Sequence, residues 1–358
     1  MASNSLGQIF RITTSGESHG PGMGVIIDGC PPGIPIQEKQ IQEELDRRRP
    51  GQSSITTQRR EPDQVKIQSG IYEGLTTGAP ILLLIQNEDA RSVDYDQNAQ
   101  AFRPSHADYT YHKKYGARDH RGGGRSSARE TSNWVAAGAI AKQILIKEGI
   151  SIHAAVTSVG HVETLIPIDH FNWLYTSQND VRCPDPELAD QMKACIEHAR
   201  DTGDTLGGVI TCAITGCPPG LGEPVFHKLQ SDLGHAILSI NACKGFEYGS
   251  GFAGARMTGR EHNDRWTKEG ESIKTETNNS GGIQGGITNG MPIYFRAAFK
   301  PVSTLMSDQM TLDKDGNQIL LEGKGRHDPC VVPRAVPIVE ALAAIVVADH
   351  WLMAKTGQ

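Results

Sequence analysis

Two different periods of apolar and polar residues run along this chain. Short, mostly β-branched apolar runs at 65–71, 80–85, 150–159 and 292–299 predict strands. Longer stretches with apolar residues three or four apart predict helices at 37–48, 131–149, 186–200 and 337–353. The last of these opens on Pro337, a residue suited to a first helical position, and sets Ile338, Leu342 and Ile345 on one stripe. One pattern occurs twice. GVIIDGCPPGIP at 24–35 is a β-branched run closed by a Gly-Cys-Pro-Pro-Gly turn, and a helical stretch, QEKQIQEELDRR, follows it. GVITCAITGCPPGL at 208–221 repeats the run and the turn, and EPVFHKLQSDLGHAILSI follows. The echo predicts two related halves, about 1–150 and 151–358. No Pro/Ser-rich linker divides them, so the expectation is one α+β domain over 1–358, with long irregular loops at 46–64, 87–124 and 245–290.

Composition narrows the class. With 358 residues, 37% hydrophobic and 21% charged, the chain can bury a large core, which excludes general disorder. A net charge of −6 argues against a protein that coats nucleic acid or a membrane, so any anion site has to be local. The N-terminal MASNSLGQIFRITTSG lacks the basic and apolar segments of a signal peptide. The longest clean apolar run, near 79–85, is far short of the roughly 20 residues of a membrane span. Seven scattered cysteines without a C-x-x-C pair read as reduced, buried thiols of a cytoplasmic protein. No His, Cys or carboxylate pair has metal-ligand spacing, so no transition-metal site is expected.

The basic residues are unevenly placed. Five arginines (47, 48, 49, 59 and 60) and no acid occupy 47–60, and Lys113, Lys114, Arg118, Arg121, Arg125 and Arg129 crowd the stretch up to 131 against Asp119 and Glu130. Arginine forks suit carboxylates and phosphates, so glycine-rich loops carrying them suggest a small polyanionic ligand. RGGGRSSARET at 121–131 has two readings. It is either a plain loop with solvated arginines or a phosphate seat at a helix N-terminus, since Ser127-Ala-Arg-Glu130 has the form of a capping box. No G-K-[ST] follows, so it is not a Walker loop. A non-catalytic anion- or RNA-binding protein could use the same arginines, but an aromatic content of 6% weakens nucleic acid as the partner.

Three further motifs carry proton chemistry. GESHG at 16–20 fits G-x-S-x-G, yet only about one strand can precede it, where the hydrolase elbow follows several. Its better use is His19 as a proton carrier in a tight glycine turn. RPSHAD sets Arg103 one short step from His106, and GRHDPC places Arg326, His327 and Asp328 in a loop before the last helix.

GESHG, DRRRPG, RPSHADYTY, RGGGRSSARET, SINACKG, GGIQGGITNG, KPVST, GRHDPC and RAVPI occur in this order, and over its whole length the chain resembles the bacterial, monofunctional chorismate synthase family. The resemblance implies a helical layer between β-sheets, a homotetramer, and a lyase of the shikimate pathway of aromatic amino acid biosynthesis. The implied reaction is a 1,4-elimination of phosphate from 5-enolpyruvylshikimate 3-phosphate to give chorismate. It requires reduced FMN without net redox change. Carried over by motif, Arg48, Arg49, Arg103 and Arg129 grip the substrate, and Arg326 lies between substrate and flavin. Arg125, Ser126, Ser127, Asn241, Ala242, Gly285, Lys300, Pro301, Val302, Ser303 and Thr304 lie against the flavin. His106 protonates the departing phosphate, His19 stabilises or protonates the reduced flavin, and Asp328 manages the proton on its N5. With no added domain to house a reductase, dependence on an external flavin reductase or NADPH-linked reductant is expected. The chain reads Gln52-Ser53-Ser54-Ile55 where many relatives carry a further arginine, which Arg59 or Arg60 could replace.

Overall fold

The computed structural model describes residues 3–57, 61–88, 100–119, 123–323 and 327–356. Apolar alternation builds two antiparallel sheets. In the strand Gly22–Asp28, for example, Met23, Val25 and Ile27 are buried while Ile26 and Asp28 face outward, the period of two expected of a half-buried strand. The amino-terminal sheet runs Ser5–Leu6, Arg11–Gly16, Gly22–Asp28, Ile81–Gln86, Val65–Ile67 in spatial order. The carboxy-terminal sheet runs Val162–Glu163, Ser151–Val159, Gly208–Thr215, Ile293–Phe299, Cys243–Tyr248.

Helices fill the space between. Those introduced here are α1 (Glu38–Arg48), α2 (Asp108–Tyr115), α3 (Thr131–Lys147), α4 (Pro186–Asp201), α5 (Leu229–Leu238) and the C-terminal helix (Val332–Thr356). Packed side by side, α3 covers the amino-terminal sheet and the C-terminal helix covers the other, with α1 against α3 and α5 against the C-terminal helix. The result is a single α+β domain with a helical layer between two sheets. Gly138 lets the two central helices approach. A Cβ there would lie 2.4 Å from the Ala341 Cβ, and alanine-rich faces on both helices keep the rest of the contact close. The C-terminal helix is long and apolar enough to span a bilayer, but 89% of its most apolar stretch is buried inside the protein, which makes it a core helix.

Each half has the same succession: two antiparallel strands, a helix (α1 or α5), an edge strand, a strand that returns to the sheet centre, and a long layer helix (α3 or the C-terminal helix). In both, the Cys-Pro-Pro-Gly turn ends the second strand, and α4 is an insertion of the second half. The preceding glycines match as well: a Cβ on Gly29 or Gly216 would fall about 1.9 and 2.1 Å from the carbonyl oxygens of Ile9 and Gly149.

Several boundaries differ from the sequence expectation. The C-terminal helix starts at Val332, not at Pro337. Pro333 takes the first turn, where a missing N–H costs nothing, and Pro337 forfeits one rung inside a helix held by burial on nearly every face. The run 65–71 breaks after Ile67, and Gly70 turns in the left-handed region with φ 82°. The supposed loop 245–290 holds the hairpins Trp266–Glu269/Ser272–Thr275 and Ile283–Gln284/Ile287–Thr288, and 87–124 contains α2. The KEGESIKT stretch is polar on both faces, so it gave no apolar alternation to read. The seven thiols are free, and burial pushes the Cys30, Cys217 and Cys330 thiols up to about 12.

Candidate active site

Loops from both halves meet at one end of the helical layer around a cavity of about 580 Å³. Its wall carries Arg48, Arg103, Arg129, Lys244, Lys300 and Arg334 against Glu61, Glu322 and Asp328, so cationic side chains outnumber the carboxylates that face the same space.

The last turn of α1 supplies the first of these. Successive helical residues are 100° apart, so Arg47 and Arg48 leave α1 in different directions and Arg49, its C-cap, leaves in a third. Arg47 goes to Glu340 and Glu44 inside the helical layer. Arg49 stays exposed, 3.5 Å from Asp46. Arg48 alone of the three enters the cavity wall, where it donates to Asp63 Oδ2 at 3.0 Å, Thr131 Oγ1 at 3.0 Å and the Ala128 carbonyl at 2.7 Å. Asp63 Oδ1 receives Arg129. Burial would push the Asp63 carboxyl up, but Arg48 and then Arg129 outweigh it and hold the group below its ordinary value. Burial, opposed by Asp63 and reinforced by Arg334 and Arg129, pulls Arg48 down to about 10. Arg129 also donates to Asn87 Oδ1 at 2.8 Å, while its enclosed Nη2 lies 3.7 Å from Glu61 Oε2, within ion-pair reach but beyond a hydrogen bond. A buried donor without an acceptor is costly unless a ligand supplies one.

A second constellation stands at the start of α2. Asp108, in the first helical turn, takes Arg103 in a fork, Nε at 2.8 Å and Nη2 at 2.9 Å, and takes the Arg103 backbone N–H at 3.1 Å. The same carboxylate lies 2.9 Å from His106 Nδ1. These contacts overcome burial and hold Asp108 well below the usual carboxylate range. With Nδ1 facing Asp108, Nε2 is the ring nitrogen left for a ligand. Ser105, between the two, adopts φ 56°. Ala242 on the opposite wall has φ 67°, and Asp63 has φ 49°, so three of the chain's left-handed non-glycine residues support one cavity. Such backbone costs of order 1–3 kcal/mol each and collects where function needs it.

Asp328 completes the wall. Its Oδ1 accepts the Thr57 N–H at 2.9 Å and its other oxygen takes Arg334, whose Nε donates to the Arg48 carbonyl at 3.1 Å. On the far side, Asn241 Nδ2 donates to the Ser126 carbonyl at 3.0 Å, the Lys300 N–H donates to the Ala242 carbonyl at 3.0 Å, and Lys300 Nζ reaches Ser303 Oγ at 2.7 Å. Burial, then the neighbouring Lys244 charge, lowers the Lys300 ammonium below its ordinary value.

The cavity therefore gathers Arg48, Arg103, Arg129, His106 and Asp328 with Ser126, Ser127, Asn241, Ala242, Lys300, Val302, Ser303 and Thr304. His19, Arg49, Arg125, Gly285 and Pro301 do not line it. His19 sits in a turn pinned by Asn87, which donates to the Glu17 and Gly20 carbonyls at 2.9 Å while holding Arg129. Arg125 is committed to Glu130, Thr14 and the Gly16 carbonyl. Glu130 is thereby drawn away from the reciprocal half of a capping box. Ser127 instead caps a short 3-10 turn by accepting the Arg129 N–H at 3.3 Å, and α3 begins only at Thr131. Gly285 lies in the turn of the hairpin 283–288. Arg326 lies outside the described residues, as do Arg59 and Arg60. At the loop Gln52-Ser53-Ser54-Ile55, Arg200 of α4 donates to the Ser54 carbonyl at 2.9 Å.

Sequence reasoning missed Asp63, Asp108, Lys244 and Arg334. Asp108 was present in RPSHAD and Arg334 in RAVPI, but nothing in a linear motif says which cation an acid will hold.

A small-molecule enzyme of the α+β class, with a cationic cavity and an oriented histidine, is what this fold and site define. The chorismate synthase profile matches residues 10–352. The chain is 56% identical over 358 residues to the chorismate synthase of Christiangramia forsetii, covering 100% of both chains. It is 58% identical over 355 residues to that of Flavobacterium psychrophilum, covering 99% of each. A crystal structure of chorismate synthase superposes with a TM-score of 0.78 at 33% identity, covering 97% of this chain and 93% of the other. The chain belongs to the chorismate synthase family, lyases that eliminate phosphate from 5-enolpyruvylshikimate 3-phosphate, and the alternative of a non-catalytic binder falls away.

Proposed function

We propose that the cavity is where the family's 1,4-elimination takes place, with the substrate's phosphate and carboxylates held by Arg48, Arg103 and Arg129 beside reduced FMN. The observation that carries this reading is the convergence of a buried arginine donor that makes no hydrogen bond, 3.7 Å from the Glu61 carboxylate, with a carboxylate-oriented histidine in one wall. Substrate and flavin phosphate together bring roughly six negative charges, counting about −1.5 to −2 for each phosphate. The donor set fits the flavin: Asn241, Lys300, Ser303 and Thr304, with the strained Ala242 backbone and the serines 126 and 127, offer hydrogen bonds and positive charge along one side of the cavity. Reduced FMN, held there by these residues, would supply the electron density that assists phosphate loss.

The chain's own residues do the rest. Asp108 fixes the His106 ring through Nδ1, so that Nε2 faces the ligand and can give a proton to the leaving phosphate oxygen. Arg48 and Arg129, which share Asp63, accept the growing phosphate charge. Asp328, held by Thr57 N–H and Arg334, is assigned the proton at the flavin's N5. His19 is assigned the reduced flavin on resemblance, with Asn87 as its link to Arg129. Arg49, Arg125, Arg326, Gly285 and Pro301 keep their assigned ligands only as part of this proposal.

We further propose a cytoplasmic homotetramer, supplied with reduced FMN by an external reductase, whose two halves arose by duplication. The shared succession of elements and strand order supports the duplication. Exposed Leu165, Phe226, Phe252 and Trp266, between 56% and 89% accessible, support burial between copies. The central test is anaerobic: protein, reduced FMN and substrate are mixed, and chorismate and free phosphate are followed. Stoichiometric release of both is expected in wild type, and a fall in kcat of roughly 10²–10⁴ in His106→Ala with binding retained. A wild-type level of turnover in that variant would move the proton to another group.

A further inference from the structure

Beside the main cavity lies a smaller one of about 190 Å³, and Arg334 belongs to the walls of both. That volume is well above the ~10–15 Å³ that admits one water and suffices for a tetrahedral oxyanion with attendant waters. Its wall is formed by Ser53 and Thr56 from the loop after α1, Asn179, Asp180 and Arg182 from the segment before α4, and Arg334.

Two enclosed donors here have no acceptor, Ser53 Oγ and Arg182 Nη1. The other end of the Arg182 guanidinium makes only neutral contacts, with the Arg47 carbonyl and with Gln52 Oε1 at 2.9 Å. Among the described residues no carboxylate lies within ion-pair distance of it. Burial, followed by the charge of Arg47, pulls Arg182 down to about 10. The carboxylate in the wall, Asp180, is already taken by Lys193 at 2.7 Å and is partly solvated. Arg334 has Nη1 on Asp328 and Nε on the Arg48 carbonyl, which leaves Nη2. A guanidinium normally has a carboxylate or phosphate in its fork. Here the protein withholds one, and a hydroxyl without an acceptor points to the same chemistry.

We propose that this pocket is a second anion site that takes a small tetrahedral inorganic oxyanion, phosphate, on Arg182, Ser53 and Arg334. Its link to catalysis rests on the reading above: if the main cavity releases phosphate, the product is one shared arginine away from this site. Binding itself can be tested without turnover.

Inorganic phosphate is titrated into the full chain in chloride buffer, without substrate or flavin, and followed by ³¹P line broadening and calorimetry. Wild type should show two saturable phases. Arg182→Gln should weaken one of them by at least ~20-fold and spare the other, the loss expected when one partner of a buried charge contact is removed. Arg103→Gln should do the reverse. Ser53→Ala, which deletes a single hydroxyl and leaves the contacts of Arg182 in place, should weaken the same phase as Arg182→Gln by about 3- to 10-fold. It decides the matter if circular dichroism shows that Arg182→Gln does not fold. Two phases separated in this way support the site whether or not chorismate is formed. An Arg182→Gln titration that matches wild type, a Ser53→Ala titration that matches wild type, or loss of all phosphate binding in Arg103→Gln overturns it.

Discussion

Arg47 and Arg48 are neighbours in the chain, and the protein treats them in opposite ways. Arg47 enters a cluster that the protein completes by itself. Its guanidinium forks onto Glu340 at 2.7 and 3.0 Å, Lys142 adds a bond to the same carboxylate at 2.8 Å, Glu44 takes both cations, and the Ala154 N–H donates to Glu340 at 3.1 Å. Burial opposes charge here, yet Glu340 and Glu44 raise Arg47 above its ordinary value, and Lys142 and Arg47 hold the Glu340 carboxyl well below its own. Arg48 enters a cluster left incomplete. It shares Asp63 with Arg129, its guanidinium is pulled down rather than up, and the Arg129 Nη2 next to it makes no hydrogen bond, with the Glu61 carboxylate only at 3.7 Å. The first cluster joins α1, α3, the C-terminal helix and a strand. The second is arranged for an anion from outside. The difference teaches that a buried charge cluster reads as structural when its donors and acceptors balance and as a binding site when they do not.

The largest expected effect tests the closed cluster. Glu340→Gln leaves Arg47 and Lys142 without their buried partner and should cost about 3–5 kcal/mol of stability, measured by denaturant unfolding. The acid dependence should change with it. Because the folded carboxyl sits below its unfolded value of 4.5, its contribution is fully present above that pH and is lost as pH falls through the folded value. Wild type should therefore lose stability more steeply than Glu340→Gln below about pH 4.5. Equal slopes would show that Glu340 is not the ionised centre of the cluster.

Next comes the open cluster. Arg48→Ala should weaken substrate binding by about 2–5 kcal/mol in equilibrium titration while unfolding stays close to wild type, because Arg129 remains on Asp63. If this variant unfolds as easily as Glu340→Gln, the distinction between the clusters collapses.

Asp108→Asn separates orientation from charge at His106. Loss of the carboxylate should lower kcat by roughly 10- to 100-fold, part of the range a positioned general acid supplies, with KM less affected. A KM that rises as far as kcat falls would leave Asp108 as a support for the loop alone.

The smallest effect is expected at Arg49. An exposed pair 3.5 Å long is worth at most about 0.5–1 kcal/mol, so Arg49→Ala should leave stability unchanged within ~0.5 kcal/mol. If substrate affinity falls as far as in Arg48→Ala, Arg49 reaches the ligand in the working enzyme and the direction it takes in this structure is not the bound one.

Much of this was legible in the chain. The apolar periods marked α1, α3 and α4 to within about two residues, and the repeated Gly-Cys-Pro-Pro-Gly turn marked the ends of matching strands. The motifs named Arg48, Arg103, His106, Arg129 and Asp328, all of which meet in the cavity. The hairpin at 266–275 was not legible, since every strand position but Thr275 is solvated and no apolar pattern distinguishes its faces.

By itself, the amino-acid sequence determined the local terms: where apolar spacing closes a helix or a strand, where glycine permits a left-handed turn, and that three consecutive arginines at the end of α1 must diverge. Which of the three serves the ligand was decided only by the tertiary structure. The acid that completes Arg47 comes from 293 residues away, and the acid that Arg48 must share comes from 15 residues away in a loop that also receives Arg129. A charge is structural or functional according to how many partners folding brings to it, and that count is set by distances no local pattern contains.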